Sequence, residues 1–357
     1  MAIGGHPSPF FSKVLFYSHN LLRHPSQPPK TPPSYMAFDY QLRETTSNSH
    51  VPEVDFSHCR EMTPYLDSPI AMYVGAPGKH GYLRLGFEID PRGKCILRDL
   101  DRRAPLIVQQ ALYFDQEMTD MPCVYILSSG GPNVEGDRYQ QDITMKKDSF
   151  AFISTGAATK LAEMQRNYSG MVQNITLEEN TYLEFMPEPI YPCKHTRFIS
   201  DTNIVVDPTA TLFYSEIYMG GRKYYNEGEL FEYDILSVCS HAARPDGTPL
   251  FREKFIIDPK KVNPRQLGVM GSFDVFANVI VLTPKQHADA IYDAVTPFIN
   301  RDEHLASGIT HLPNQSGLLF KVLGMEPGPV KKIVREFLDT VRREVKGKPV
   351  PKEFPWR

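Results

Sequence analysis

From Gly81 onward the chain reads as strand-length stretches separated by turn signals. Tyr82-Leu83-Arg84-Leu85-Gly86-Phe87-Glu88-Ile89 alternates with period two, Asp90-Pro91-Arg92-Gly93 supplies a turn, and Lys94-Cys95-Ile96-Leu97 returns. This spacing predicts a hairpin. Similar stretches recur at 124–127, 150–154, 171–177, 182–185, 198–206, 211–219 and 251–257, with Asp246-Gly247 as a further turn. Strand follows strand with few helical patterns between, which favours sheets stacked on sheets over a βαβ arrangement. The expected fold class is mainly β.

Towards the C-terminus the period changes. Thr283-Pro284 offers an N-cap with proline at the first helical position, and Ile291, Ala294 and Val295 line one edge, predicting a helix near 284–299. After Gly328-Pro329, residues Val330, Ile333, Val334, Phe337, Leu338, Val341 and Val345 keep helical spacing and predict a second helix over 329–346. Lys331, Lys332, Arg335, Arg342 and Arg343 fall on its polar face and read as a solvated surface. No repeat of fixed period is evident. Residues 1–60 read as a disordered or weakly ordered extension. Its first 38 residues contain no acid and several prolines, with a faint likeness to a transit peptide and Met36 as an alternative start. Residues 61–357 read as one domain.

Composition narrows the class. The 357 residues are 41% hydrophobic, enough for a packed core, and carry a net charge of −3. With a pI near 6.4 there is no basic footprint for nucleic acid. No apolar run approaches the ~18 residues of a spanning helix, so no membrane segment is expected. Cys59, Cys95, Cys123, Cys193 and Cys239 are scattered and never paired as Cys-x-x-Cys, which reads as reduced, buried thiols in a cytoplasmic protein.

The commonest catalytic signatures are missing: there is no P-loop, no Gly-x-Ser-x-Gly elbow, no His-Glu-x-x-His and no dinucleotide fingerprint. The stretch from Gly130 to Arg138 holds Gly130, Gly131 and Gly136 directly after an apolar strand. It reads either as a plain strand-to-strand loop with a surface Asp-Arg pair, or as a close-approach loop in which Asp137 offers a hard oxygen ligand. Cys193 and His195 are the one thiol and imidazole close in sequence. On an extended strand they share a face and could touch a borderline metal such as nickel, although burial of Cys193 in the core is the plainer reading. Glu184, Glu188, Glu216 and Glu253 interrupt apolar strand stretches, a costly placement for an acid unless it is paired, ligating or turned to water.

Several stretches occur together and in order: Gly81-Tyr82-Leu83-Arg84-Leu85; Pro105-Leu106-Ile107-Val108-Gln109 with Ala111-Leu112-Tyr113; Cys123-Val124-Tyr125; Gly136-Asp137-Arg138; and Ser154-Thr155-Gly156-Ala157-Ala158-Thr159-Lys160. They continue through Leu183-Glu184-Phe185-Met186-Pro187-Glu188, Tyr214-Ser215-Glu216, Gly221-Arg222, Gly228-Glu229-Leu230-Phe231 and Leu312-Pro313-Asn314. In this order, across residues 72–325, they resemble the UreD (UreH) family of urease accessory proteins.

That resemblance implies a β-rich, stacked-sheet or β-helix-like fold with two C-terminal helices. It also implies a non-catalytic scaffold or metallochaperone that binds apo-urease with UreF and the GTPase UreG and assists nickel insertion. No tightly bound cofactor is expected, only transient nickel. Asp137, Glu216 and Glu253, with Glu184 as a further candidate, are the carboxylates expected to line an ion path, while Arg138, Lys160 and Arg222 pair with acids. One departure is Glu135, which stands where the family's commoner loop has a glycine. The alternative from another class is a β-stacked hydrolase with Glu184 and Glu216 as acid and base, which needs two carboxylates about 5–10 Å apart in an open cleft.

Overall fold

The computed structural model describes residues 54–70 and 77–352. The leader over 1–38 lies outside the described residues, as does the rest of the expected extension up to residue 53. Val54 and Phe56 are buried with Met62, Tyr168, Ile199 and Ile235, so the chain ahead of residue 61 already packs on the main body.

The chain opens with the expected hairpin of β1 (His80–Ile89) and β2 (Cys95–Arg103), followed by the short β3 (Leu106–Ile107). Asp90 makes the turn: its Oδ1 accepts the N–H groups of Arg92 (2.8 Å) and Lys94 (3.0 Å). Next come β4 (Cys123–Ser128), β5 (Arg138–Met145), β6 (Phe150–Thr155), β7 (Thr159–Leu161), β8 (Ser169–Leu177), β9 (Tyr182–Phe185), β10 (Ile190–Pro192), β11 (Arg197–Val206) and β12 (Thr211–Met219). A ribbon of β13 (Gly221–Arg222) and β14 (Glu229–Leu230) precedes β15 (Ile235–Ala243), β16 (Pro249–Ile257) and β17 (Val275–Leu282). Then follow helix α1 (Lys285–Ala294), β18 (Phe298–Asn300), β19 (Leu305–His311), β20 (Gly317–Gly324) and helix α2 (Pro327–Lys346).

Among the described residues these strands form two large sheets and the small ribbon. One has seven strands in the order β16-β15-β11-β8-β5-β1-β2. The other has eleven, running β18-β19-β20-β17-β12-β9-β6-β4-β3 with β10 and β7 attached. From β4 to β15 the chain steps back and forth between them, adding parallel neighbours β5, β8, β11 and β15 to one sheet and β4, β6, β9 and β12 to the other. This is the β-helix-like winding, closed at its far end by antiparallel strands. β12, with eight of its nine residues buried, is covered on both faces.

The two sheets pack face to face through Leu83, Phe87, Ile143, Ile175 and Ile204 from one and Val124, Leu183, Leu212, Ile280 and Leu319 from the other. The helices cover the outer face of the eleven-stranded sheet. Val330, Val334, Phe337, Leu338 and Val341 of α2 are buried there, with Phe337 against Phe213 and Phe320; each such side chain contributes roughly 1.5–3 kcal/mol of apolar burial. Gly347 ends α2 in the left-handed conformation, its N–H bonded to the Arg343 carbonyl.

Three details differ from the sequence reading, the first being that the helix expected near 284–299 ends at Ala294 and Phe298–Asn300 form β18. Arg342, placed on the solvated face of α2, is fully buried because Glu184 and Asp115 lie beneath the helix to receive it. Pro284, not Thr283, is the N-cap of α1; the Thr283 hydroxyl is spent on Thr211 at 2.8 Å.

Candidate functional site

Alternation along a strand sends every second side chain to one face, and one level of the interior between the sheets is polar. On the seven-stranded sheet it runs Gln141 (β5), Gln173 (β8), Thr202 (β11), Ser240 (β15) and Glu253 (β16), each in register with the next. The facing sheet supplies Glu216 (β12), Asn278 (β17) and Lys321 (β20), also in register. Hydrogen bonds tie the two rows into a seam. Gln173 Nε2 donates to Gln141 Oε1 (3.3 Å), the Tyr214 hydroxyl lies 2.8 Å from Gln173 Oε1, and Asn278 Nδ2 donates to Glu253 Oε2 (2.9 Å). Lys321 Nζ closes on Glu253 Oε1 at 2.5 Å.

Glu216 is the more deeply buried of the seam's two acids, 4% exposed. Its Oε1 lies 2.8 Å from the Tyr214 hydroxyl and 2.9 Å from that of Tyr218. Burial pushes its carboxyl up to about 7, the two tyrosines pull the other way, and the Glu253 charge adds to the rise. Tyr214 has one proton and two acceptors in reach, Gln173 Oε1 and Glu216 Oε1. A proton on Glu216 resolves this conflict by donating to Tyr214, which then serves Gln173. Glu216 Oε2, Asn278 Oδ1 and the Ser240 hydroxyl are buried and bonded to no group among the described residues. Each such atom costs about 1–3 kcal/mol, and together they offer hard oxygen donors to a cation or a water. The seam opens towards Glu253 and Lys321, whose side chains are 21% and 16% exposed.

The other expected path residues are placed elsewhere. Asp137, just ahead of β5, has both oxygens engaged. Oδ1 meets the Lys79 N–H and Nζ, each at 3.0 Å, and Oδ2 accepts from Val134 N (3.0 Å) and the Tyr139 hydroxyl (2.8 Å). Glu135, the departure noted above, is likewise an anchor. Its carboxylate accepts the N–H groups of Ile70, Gln165, Arg166 and Asn167. Burial alone would raise it, but these four bonds prevail and hold its carboxyl below the usual range. Gly136 between them has φ +81°, and a Cβ there would meet Pro69 at 2.6 Å, so this position must be glycine.

Glu184 sits on the opposite face of its sheet from Glu216. It accepts a bidentate pair from Arg342 of α2 (2.7 and 2.6 Å) and a hydrogen bond from Tyr182 (2.6 Å), while Arg342 also reaches Asp115 at 2.6 Å. Glu184 and Glu216 are therefore separated by the sheet itself and cannot act as the acid and base of a hydrolase. Cys193 and His195 also part company, because residues 193–196 form a turn rather than a strand and His195 adopts φ +55°. Cys193 is buried, and His195 lies 3.3 Å from Asp234. Arg222 pairs with Glu229 at 2.7 and 2.5 Å as expected. Arg138 joins no acid among the described residues: it stacks on Tyr168 and donates to carbonyl oxygens and Asn167. Of the four acids expected in one path, the structure brings Glu216 and Glu253 together.

Residues 79–357 match the family model described as UreD urease accessory protein. The chain belongs to the UreD family. UreD 2 of Brucella suis biovar 1 (strain 1330), a urease accessory protein, is 50% identical over 297 residues, covering 83% of this chain and 98% of that protein. UreD of Yersinia enterocolitica is 43% identical over 303 residues, covering 83% and 92%. UreD of Photorhabdus laumondii is 44% identical over 298 residues, with the same coverage. In this UreD chain the seam also includes Gln141, Gln173, Asn278 and Lys321, which sequence reasoning passed over. The signal was present at two of them: Asn278 and Lys321 are single polar residues inside apolar strands, the mark that singled out Glu216.

Proposed function

We propose that this protein assists urease maturation by giving Ni2+ a route through the oxygen-lined seam between its sheets. Family membership makes it a urease accessory protein. The observation that carries the finer reading is Glu216, a buried carboxyl raised to about 7, with one oxygen bonded to no group among the described residues. Oxygen donors hold nickel loosely enough to release it, where a nitrogen and sulfur cage would retain it. Lys321 already fills the cation's place beside Glu253, so an ion entering there exchanges one positive charge for another.

On this reading the protein is a non-catalytic scaffold in the cytoplasm that works with UreF, the GTPase UreG and apo-urease. The sequence lacks a phosphate-binding loop of its own, which supports a separate GTPase. No helix among the described residues is long and apolar enough to cross a membrane. The test is co-expression of urease and its accessory genes with wild type, Glu216→Gln or Glu253→Gln, scoring urease activity, urease-bound nickel and recovery of the accessory complex. Loss of activity and nickel together, by about tenfold or more with the complex intact, is expected. Full activity in both variants sinks the seam as a nickel route.

A further inference from the structure

The seven-stranded sheet has an outer face as well as a seam face, and one strand serves both. In β15 Ser240 points into the seam, so its neighbours Cys239 and His241 point outward. Asp201 of β11 is in register with Cys239 on that outer face. One ligand atom from each of Asp201, Cys239 and His241 falls within 4.8 Å of the others, and His241 Nδ1 lies 3.6 Å from Asp201 Oδ1. Ligands about 2.0–2.3 Å from a tetrahedral ion stand roughly 3.4 Å apart, so small side-chain rotations convert the cluster into a three-sided cage. Asp201 Oδ1 is buried and accepts no hydrogen bond among the described residues.

We infer that Asp201, Cys239 and His241 form a second metal site, on the outer face, for a first-row divalent cation of borderline softness such as Ni2+, Co2+ or Zn2+. On binding, the Cys239 thiol gives its proton to solvent and its sulfur lone pair to the ion. His241 gives a ring-nitrogen pair and Asp201 a carboxylate oxygen, and no electron changes hands. Thiolate and imidazole favour such ions over magnesium or calcium. Two cations stand close: Arg252 and Lys254 of β16 are in register with His241 and Cys239. Lys254 is already paired with Glu61 at 2.5 Å; burial and the Asp201 charge push the Cys239 thiol up, and Arg252 beside it pulls the other way. With nitrogen and sulfur donors this site retains its ion where the seam lets one pass.

The test is titration of the purified full chain with Co2+, read as the thiolate-to-cobalt charge-transfer absorption. The band is expected in wild type and in Glu216→Gln, which keeps this site apart from the proposed nickel route. It is expected to vanish in Cys239→Ser, and Co2+ affinity is expected to fall about tenfold or more in His241→Gln and Asp201→Asn. No band in wild type, or a band retained by Cys239→Ser, overturns the inference. Should Cys239→Ser lose its far-UV circular dichroism, the other two variants decide: unchanged Co2+ affinity in both also overturns it.

Discussion

Glu216 sits close to its titration midpoint at neutral pH, with a folded-state value of about 7 against an ordinary 4.5. Because the folded value is the higher one, the native state holds the extra proton between those limits, and stability falls as pH rises through that window. Below about pH 4.5 nothing is lost; above about 7 the penalty is complete, of the order of 3 kcal/mol. Glu216→Gln removes the charge and keeps the shape. Its unfolding free energy in urea is expected to exceed that of wild type by about 3 kcal/mol near pH 8 and to converge with it near pH 4. An equal gap at both values would show that burial of the charge is not what matters. The same residue was legible in the sequence as an acid inside an apolar strand. Glu184 gave the identical signal and has a different job, because alternation tells which residues share a face but not what lies across from them. Only the structure supplies Arg342 to one and two tyrosines to the other.

At the scale of elements, α2 was readable almost to its ends, since a stripe of Val, Phe and Leu at helical spacing needs a sheet beneath it and nothing else. Arg342 was not readable. It falls on the arc of the helix shared with other basic residues, and its burial depends on Asp115, over two hundred residues earlier in the chain. Taking away one partner of a buried ion cluster strands the rest, at a cost of about 3–5 kcal/mol. Arg342→Met is therefore expected to lower the unfolding free energy by that amount. An Arg342→Met/Glu184→Met/Asp115→Leu triple variant is expected to recover much of it. A single variant within about 0.5 kcal/mol of wild type would mean that the cluster does not hold α2 in place.

The winding of the whole molecule escaped the sequence for a related reason. Asp142 to Asn174 is one step of 32 residues and Asn174 to Asn203 the next of 29, joined side chain to side chain on the outer face, and the step to His241 is longer again. Coils that differ in length leave no fixed period, although stacked sheets were still legible from strand following strand. In such a molecule the central strands β8 and β11 are held on both sides, whereas β2 and β18 are edges. Amide hydrogen exchange is expected to be slowest in β8 and β11, limited by global unfolding, and fastest in β2 and β18. Comparable protection across all four would argue against one cooperative body.

The residues of the seam also arrive at different times. Glu216 is made before its row neighbours Asn278 and Lys321, which come from strands near the end of the chain, and synthesis runs from the N-terminus. A nascent chain that has not yet laid down β17 and β20 has an acid awaiting its neighbours and no enclosed seam. The seam is thus enclosed only once β20 has been made, and a product that ends before it keeps Glu216 on an unfinished wall.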